Sequence, residues 1–312
     1  MNGIRETPGP VPAAPGGELL RTRDLVKTYP LRNAWGRRQG VVRAVDGVDL
    51  AVHRGETLAL VGESGSGKST LGRCMLQMEE PTSGSVSYDG VELTSLPRAR
   101  RAPFHRSMQV IFQDPFSSLN PHRTALQNVL EPIRLLTSDS DPRARAIEAL
   151  AAVGIDGDAV DKHPRAFSGG QRQRIGIARA IAVRPDFVVC DEPLSALDMS
   201  IQAQVTDLLM ELQRELALTY LFISHDLAVV REIATRTAVM NRGRIVELGP
   251  TREIFAQPRH PYTRHLLDAV LVAEPAEARR RLERISERPA LVPDDTDRQA
   301  LTEVEPGHFV LV

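Results

Sequence analysis

Cysteine is almost missing from this chain: there are 2 in 312 residues, Cys74 and Cys190, each inside an apolar or helical pattern. So few thiols exclude a disulfide-stapled secreted domain and fit buried, reduced side chains. Long apolar runs are missing as well. No stretch approaches the ~20 apolar residues needed to span a bilayer, so any membrane role has to come through a partner. Excess positive charge is also lacking: 39 Lys and Arg against 40 Asp and Glu leave a formal net charge of -1. That gives no electrostatic basis for binding nucleic acid. The opening "MNGIRETPGPVPAAPGGE" has no apolar core of the signal-peptide kind. Its proline and glycine predict a disordered leader over residues 1–18.

What is present reads as an ordinary globular protein, with 42% hydrophobic and 25% charged residues. The length allows one large domain and an appendage. "LLRTRDLVKTYP" alternates like a half-buried strand, and an arginine-rich break, "LRNAWGRRQG", follows it. Next come "VVRAVDGVDLAVHRGETLALVG", two strands about the turn at Arg54 and Gly55, and then the helix "KSTLGRCMLQM". "GSVSYDGVEL" reads as a hairpin and "SMQVIF" as a buried strand. Residues from Leu126 to about Val183 are helix-rich, after which strands and helices alternate again from "DFVVCDE" to "TAVMNRGRIVELG". Such interleaving predicts an α/β fold with a largely parallel sheet and an inserted helical segment. Past "HPYTRHLLDAVL", "AEPAEARRRLERISER" reads as an exposed helix, and the final "PALVPDDTDRQALTEVEPGHFVLV" as an irregular, weakly packed extension.

The first chemical motif is "GESGSGKST", Gly62 to Thr70, between a buried strand and a helix. This is the phosphate-binding P-loop in its required context. Gly62, Glu63, Ser64, Gly65, Ser66 and Gly67 form the turn whose amides converge on phosphate oxygens, and the helix start adds positive charge. Lys68 is one of three lysines in the chain. Its compact ammonium suits crowded phosphates better than a planar guanidinium. Ser69 is expected to ligate magnesium, with Thr70 beside it. "FVVCDE" ends in Asp191 and Glu192 at the carboxyl end of a strand, where open α/β sheets bind ligands. Asp191 is placed to hold the metal and Glu192 to take a proton from an attacking water. His225, ending "TYLFISHD", and Gln113, after "SMQVIF", are polar residues at the same sheet end. They are expected to reach the γ-phosphate and magnesium. "FSGGQRQRIGIARA" looks like a second phosphate-binding helix start, with Ser168 as N-cap. A capped helix accounts for Ser168 but leaves the double glycine unexplained.

Taken in order, "GESGSGKST", "FQDP", "FSGGQ", "VVCDEPLSALD" and "SHD" resemble the ATPase subunit of an ABC transporter, over roughly Leu19 to Gly249. The resemblance implies a P-loop cassette with a mostly parallel core sheet, a small antiparallel β subdomain and a helical subdomain over about 115–185. It implies an ATP-hydrolysing enzyme that uses ATP and Mg2+, with the cassette at 19–258 and a C-terminal extension at 259–312. Two such domains pair head to tail in this family, so each ATP lies between one P-loop and the other chain's signature helix. Tyr29 matches the adenine-stacking aromatic, Ser168, Gly169, Gly170 and Gln171 the signature, and Asp198 the end of the coupling loop. Glu192 matches the catalytic base, His225 the switch histidine, and Gln113 the magnesium-touching glutamine. Phe167 stands where leucine is commonest.

"FQDPFSSLNP", "SIQAQV" and "HPYTRHLL" are similar to the ATPases of oligopeptide and dipeptide importers, a group that includes nickel, glutathione and opine importers. The insert "LRNAWGRRQGVVRAVDGV" resembles the second of the two ATPases such systems often carry, which implies a heterodimer, with a homodimer as the alternative. Two transmembrane permease subunits and an extracytoplasmic substrate-binding protein are the further partners implied, with no nucleic acid. The implied location is peripheral, on the cytoplasmic face of the cell membrane. Members often carry C-terminal cysteines that hold an iron–sulfur cluster; this tail has none, so no cluster is expected.

Overall fold

A computed structural model describes residues 16–32, 38–114, 118–270 and 300–311. The leader up to residue 15 and the expected helix around 273–288 lie outside the described residues. Strand β1 (Glu18–Arg32) begins inside the segment read as leader and pairs antiparallel with β2 (Arg38–His53). β4 (Ser83–Tyr88) and β5 (Val91–Glu92) complete a four-stranded antiparallel sheet in the order β2-β1-β4-β5.

The second sheet carries the site. Its eight strands run in the order β11-β12-β10-β9-β3-β8-β7-β6, where β10 is Arg244–Pro250, β11 Leu301–Glu305 and β12 His308–Leu311. The parallel part comprises β3 (Thr57–Val61), β6 (Met108–Ile111), β7 (Phe187–Asp191), β8 (Thr219–Ile223) and β9 (Arg236–Asn241). "TLALV", "FVVCD" and "TYLFI" are buried at every position. The reason is that alternate residues enter different cores. Ala59, Val61, Val188, Cys190, Tyr220 and Phe222 face one core, while Leu58, Leu60, Phe187, Val189, Leu221 and Ile223 face the other. Both cysteines are free and buried.

The core of Ala59 and Val61 continues into the inserted helices α4 (Ala125–Leu136), α5 (Pro142–Ala151) and α6 (Gly169–Ile181), through Val129, Ile133, Leu150 and Ile177. The other core packs the antiparallel sheet onto α1 (Lys68–Met75) through Leu25, Leu50, Leu71 and Met75. Two one-turn helices, α2 (Arg98–Arg101) and α3 (Phe104–Ser107), lead into β6. α4 starts in a reciprocal capping box, where Thr124 Oγ1 accepts from Gln127 N and Gln127 Oε1 accepts from Thr124 N. α7 (Met199–Leu216) ends at Ala217 in the left-handed region, and Asp226 caps α8 (Leu227–Ile233).

The tail departs from the sequence-based reading. β10 (Arg244–Pro250), α9 (Thr251–Ala256) and α10 (Pro261–Val270) follow β9. The chain then returns as a hairpin, β11 (Leu301–Glu305) and β12 (His308–Leu311), which adds to the β10 edge by pairing Glu247 with Val310 and Leu248 with Phe309. Residues 301–311 are therefore ordered sheet, with His308 fully buried. Polar residue types hid it, because the partners that bury them lie elsewhere in the chain.

Candidate functional site

Strand register gathers the expected residues at one sheet end. Leu60 and Asp191 both pair with Ile223, and Ile111 pairs with Cys190. Gly62, Ser224, Glu192 and Gln113 therefore leave the sheet close together at its carboxyl edge, with Asp191 the last residue of β7.

The loop between β3 and α1 requires glycine where the backbone crowds another strand. A Cβ on Gly62 would lie 2.1 Å from Met240 O, and one on Gly67 would lie 1.9 Å from Ala44 O. Their φ angles, 149° and 107°, also lie where L side chains are strained. Gly243 N donates to Ser66 O at 2.9 Å and so ties the loop to the β9–β10 turn. Lys68 is buried, and its Nζ donates to Gly62 O at 2.7 Å and Glu63 O at 2.8 Å. Desolvation lowers its pKa from the usual lysine value, opposed by the Glu192, Asp191 and Glu63 charges.

Ser69 Oγ donates to Asp191 Oδ1 at 2.6 Å, and Arg73 Nη2 lies 3.8 Å from Asp191 Oδ2. Two hard oxygens at the P-loop mouth are the donor type that magnesium prefers. Glu192 follows with φ 49°, and its amide donates to Ile223 O at 3.0 Å. A glutamate held in the left-handed region stores strain of order 1–3 kcal/mol. His225 Nδ1 lies 3.3 Å from Glu192 Oε2. Gln113 is exposed just beyond β6.

Tyr29 stands on β1 with its hydroxyl donating to Glu79 Oε1 and the Lys27 ammonium 5.2 Å from its ring centroid. Burial, then the Glu79 contact, push its phenol up to about 12. Tyr29 is 36% exposed.

The signature residues sit apart from the P-loop. Ser168 Oγ accepts from Gln171 N at 3.3 Å and Gln171 Oε1 accepts from Ser168 N at 3.0 Å, so their hydrogen bonds close on each other. Among the described residues, no hydrogen bond joins Ser168–Gln171 to Gly62–Thr70. The two glycines have different causes. A Cβ on Gly170 would lie 2.5 Å from Ile201 Cγ2, so close packing against α7 explains it. A Cβ on Gly169 would meet only Leu197 Cδ2, at an ordinary 3.8 Å. Among the described residues, nothing demands a glycine there. Asp198 ends the loop before α7, exposed and without a side-chain cap bond.

Sequence reasoning missed Tyr262, whose hydroxyl accepts from Glu63 N at 3.1 Å. It also missed the fully buried Glu247 and His308, joined at 2.8 Å. Only the proline that starts α10 at Pro261 hinted at a fixed position for Tyr262.

Family comparison agrees with this geometry. Residues 45–195 match the ABC transporter model, and residues 246–297 match the oligopeptide/dipeptide transporter C-terminal region. The chain is 43% identical over 294 residues to the oligopeptide transport ATP-binding protein OppF of Bacillus subtilis, covering 93% of this chain and 96% of that one. It is also 43% identical over 302 residues to the glutathione import ATP-binding protein GsiA of Salmonella typhimurium, covering 95% of this chain but 48% of that longer protein. Among solved structures, the dimeric cassette MJ0796 in a post-hydrolysis state with ADP and Pi superposes with a TM-score of 0.67 at 28% identity, over 75% of this chain and 99% of that one.

Proposed function

This chain belongs to the ABC transporter family of ATP-binding proteins, and from that premise we propose that it hydrolyses ATP to power an importer of di- or oligopeptides. The observation that carries the reading is the convergence of Lys68, Ser69, Asp191, Glu192 and His225 at one sheet end, with the Gly169 helix start left open elsewhere. In this reading the P-loop side is one half of a nucleotide site, and the helix start at Gly169 and Gly170 would serve as the other half for a facing cassette.

In this reading the P-loop amides and Lys68 take the β- and γ-phosphates, and Tyr29 takes the adenine. Ser69, Asp191 and Gln113 would hold magnesium, which supplies charge neutralisation on the phosphate oxygens. Glu192 accepts the proton of a water as its oxygen bonds to the γ-phosphorus and the bond to the leaving ADP oxygen breaks. His225, within reach of Glu192, contacts the γ-phosphate and keeps the two groups in line. Ser168, Gly169, Gly170 and Gln171 serve the nucleotide on a facing cassette, either a second ATPase or another copy. Asp198, on the loop packed under Gly169, links the two sites.

Residues 19–258 make the cassette and 259–312 the extension. Among the described residues, no helix is long and apolar enough to cross a membrane. Two permease subunits and an extracytoplasmic binding protein complete the importer, with the cassette on the cytoplasmic face. ATP closes the cassette pair, and differential binding of ATP and its products to the two states drives the permease. Residues 114–130 form much of the docking surface for the permease; 115–117 lie outside the described residues.

The test is ATP hydrolysis by the complete importer purified through this chain and supplied with its binding protein. Di- or oligopeptides are expected to stimulate turnover, while glutathione and nickel leave it at the basal rate. Stimulation by glutathione or nickel alone would replace the peptide reading with one of the sister substrates.

A further inference from the structure

The peptide unit between Gly62 and Glu63 is clamped on both sides. Its carbonyl, Gly62 O, accepts from Lys68 Nζ at 2.7 Å. Its amide, Glu63 N, donates to Tyr262 Oη at 3.1 Å. The bond is trans, so the two groups point in opposite directions. Rotating this peptide would turn the carbonyl away from the ammonium. Gly62 lacks the Cβ that would resist such a rotation, so resistance has to come from hydrogen bonds.

Tyr262 can supply it because it is itself held. It is buried in the first turn of α10, and its amide donates to His260 Nδ1 at 3.1 Å. The loop before it hangs on one buried carboxylate: Glu247 Oε2 accepts from His260 N at 3.0 Å, and Glu247 Oε1 accepts from Arg259 N at 2.8 Å. His308 Nε2, on the C-terminal hairpin, meets the same Oε1 at 2.8 Å. Hydrogen bonds to an ionised group are the strong ones, and a buried carboxylate deprived of one is costly. The path from hairpin to P-loop is therefore continuous: His308, Glu247, the 259–260 backbone, Tyr262, the Gly62–Glu63 peptide and Lys68.

We propose that Tyr262 is a positioning residue for the nucleotide site, fixing the Gly62–Glu63 peptide so that Lys68 faces the phosphates, and that the C-terminal hairpin keeps Tyr262 in place through Glu247. The extension thereby sets how tightly the cassette binds nucleotide. The proposal rests on the reading of the P-loop as the ATP site.

Tyr262→Phe removes the hydroxyl and keeps the ring. In the full chain, titration with a fluorescent ATP analogue is expected to show affinity weakened by about 3- to 10-fold, the worth of one neutral hydrogen bond. Amide exchange at Glu63 should accelerate while the β3 amides of Ala59 and Leu60 stay protected. Because the effect runs through Lys68, Tyr262→Phe should weaken binding little further on a Lys68→Ala background. His308→Ala should act in the same direction as Tyr262→Phe, with partial recovery in His308→Gln, which keeps a donor toward Glu247. Affinity within twofold of wild type together with unchanged Glu63 exchange would overturn the proposal, as would full additivity with Lys68→Ala. A normal His308→Ala chain would overturn the hairpin's part. If the wild-type chain fails to bind the analogue, the ATP reading fails instead, and exchange at Glu63 still decides whether Tyr262 holds the loop.

Discussion

Ser69 Oγ and Asp191 Oδ1, 122 residues apart in sequence, stand 2.6 Å from each other. A hydroxyl on the first turn of α1 and a carboxylate ending β7 thus share one small space at the mouth of the P-loop. Chelating divalent cations should abolish ATP hydrolysis, and restored magnesium should recover it. Asp191→Asn should raise the magnesium concentration needed for half-maximal rate by at least tenfold. A metal titration of the ATPase reads both effects, and an unshifted curve would remove Asp191 from the metal site.

Glu192 and His225 are paired at 3.3 Å. Glu192→Gln should leave ATP binding intact and lower turnover by about 10²- to 10⁴-fold, the range for a positioned base. It should also favour the closed cassette pair. His225→Ala should slow turnover with little change in ATP affinity. Steady-state kinetics with a separate binding titration distinguish these outcomes, and unimpaired hydrolysis in Glu192→Gln would take the base role away from Glu192.

The two signature glycines give opposite expectations. Gly170→Ala drives a methyl to 2.5 Å from Ile201 and should destabilise the chain by about 1–3 kcal/mol through overpacking. Gly169→Ala has room and should change stability by less than about 0.5 kcal/mol. It should nonetheless cut the ATPase of the assembled importer by tenfold or more if, as proposed, the facing cassette's nucleotide approaches at Gly169. Thermal melts and turnover measured on both variants test this, and a fully active Gly169→Ala importer would count against the shared site.

His260 supplies a pH dependence. Burial lowers its pKa from the ordinary imidazole value, against the attraction of the Glu247 carboxylate. Its Nδ1 accepts Tyr262 N, so a proton there breaks the contact. The unfolded chain takes up that proton as pH falls through about 6.5, while the native chain resists it. Stability is therefore intact above that pH, declines as pH drops below it, and levels off below the lowered native value. Denaturant unfolding at pH 7.5 and 5.5 should show a larger loss in wild type than in His260→Asn, and equal losses would refute the assignment.

Much of this arrangement was readable from residue order. "TLALV", "FVVCD" and "TYLFI" are mostly apolar because both faces are covered, and the glycines of 62–67 mark a phosphate-binding turn, although their crowding against Met240 and Ala44 was not readable. Ser168 was readable as a cap, although its reciprocal bond with Gln171 was not. The hairpin at 301–311 was hidden, since its hold on the sheet depends on Glu247 and His308, residue types that do not announce burial. Tyr262 was hidden for a related reason: its partner, Glu63, lies 199 residues away, beyond any local pattern. The steric origin of Gly170 needed Ile201 to be in place.

The most direct measurement is ATPase rate and mass determined on the same sample while the protein is diluted, in the presence of its partner cassette where one co-purifies. The composite site predicts that specific activity falls as the cassette pair dissociates and that isolated single chains are nearly inactive. A single chain that sediments alone and hydrolyses ATP at the undiluted rate would contradict it.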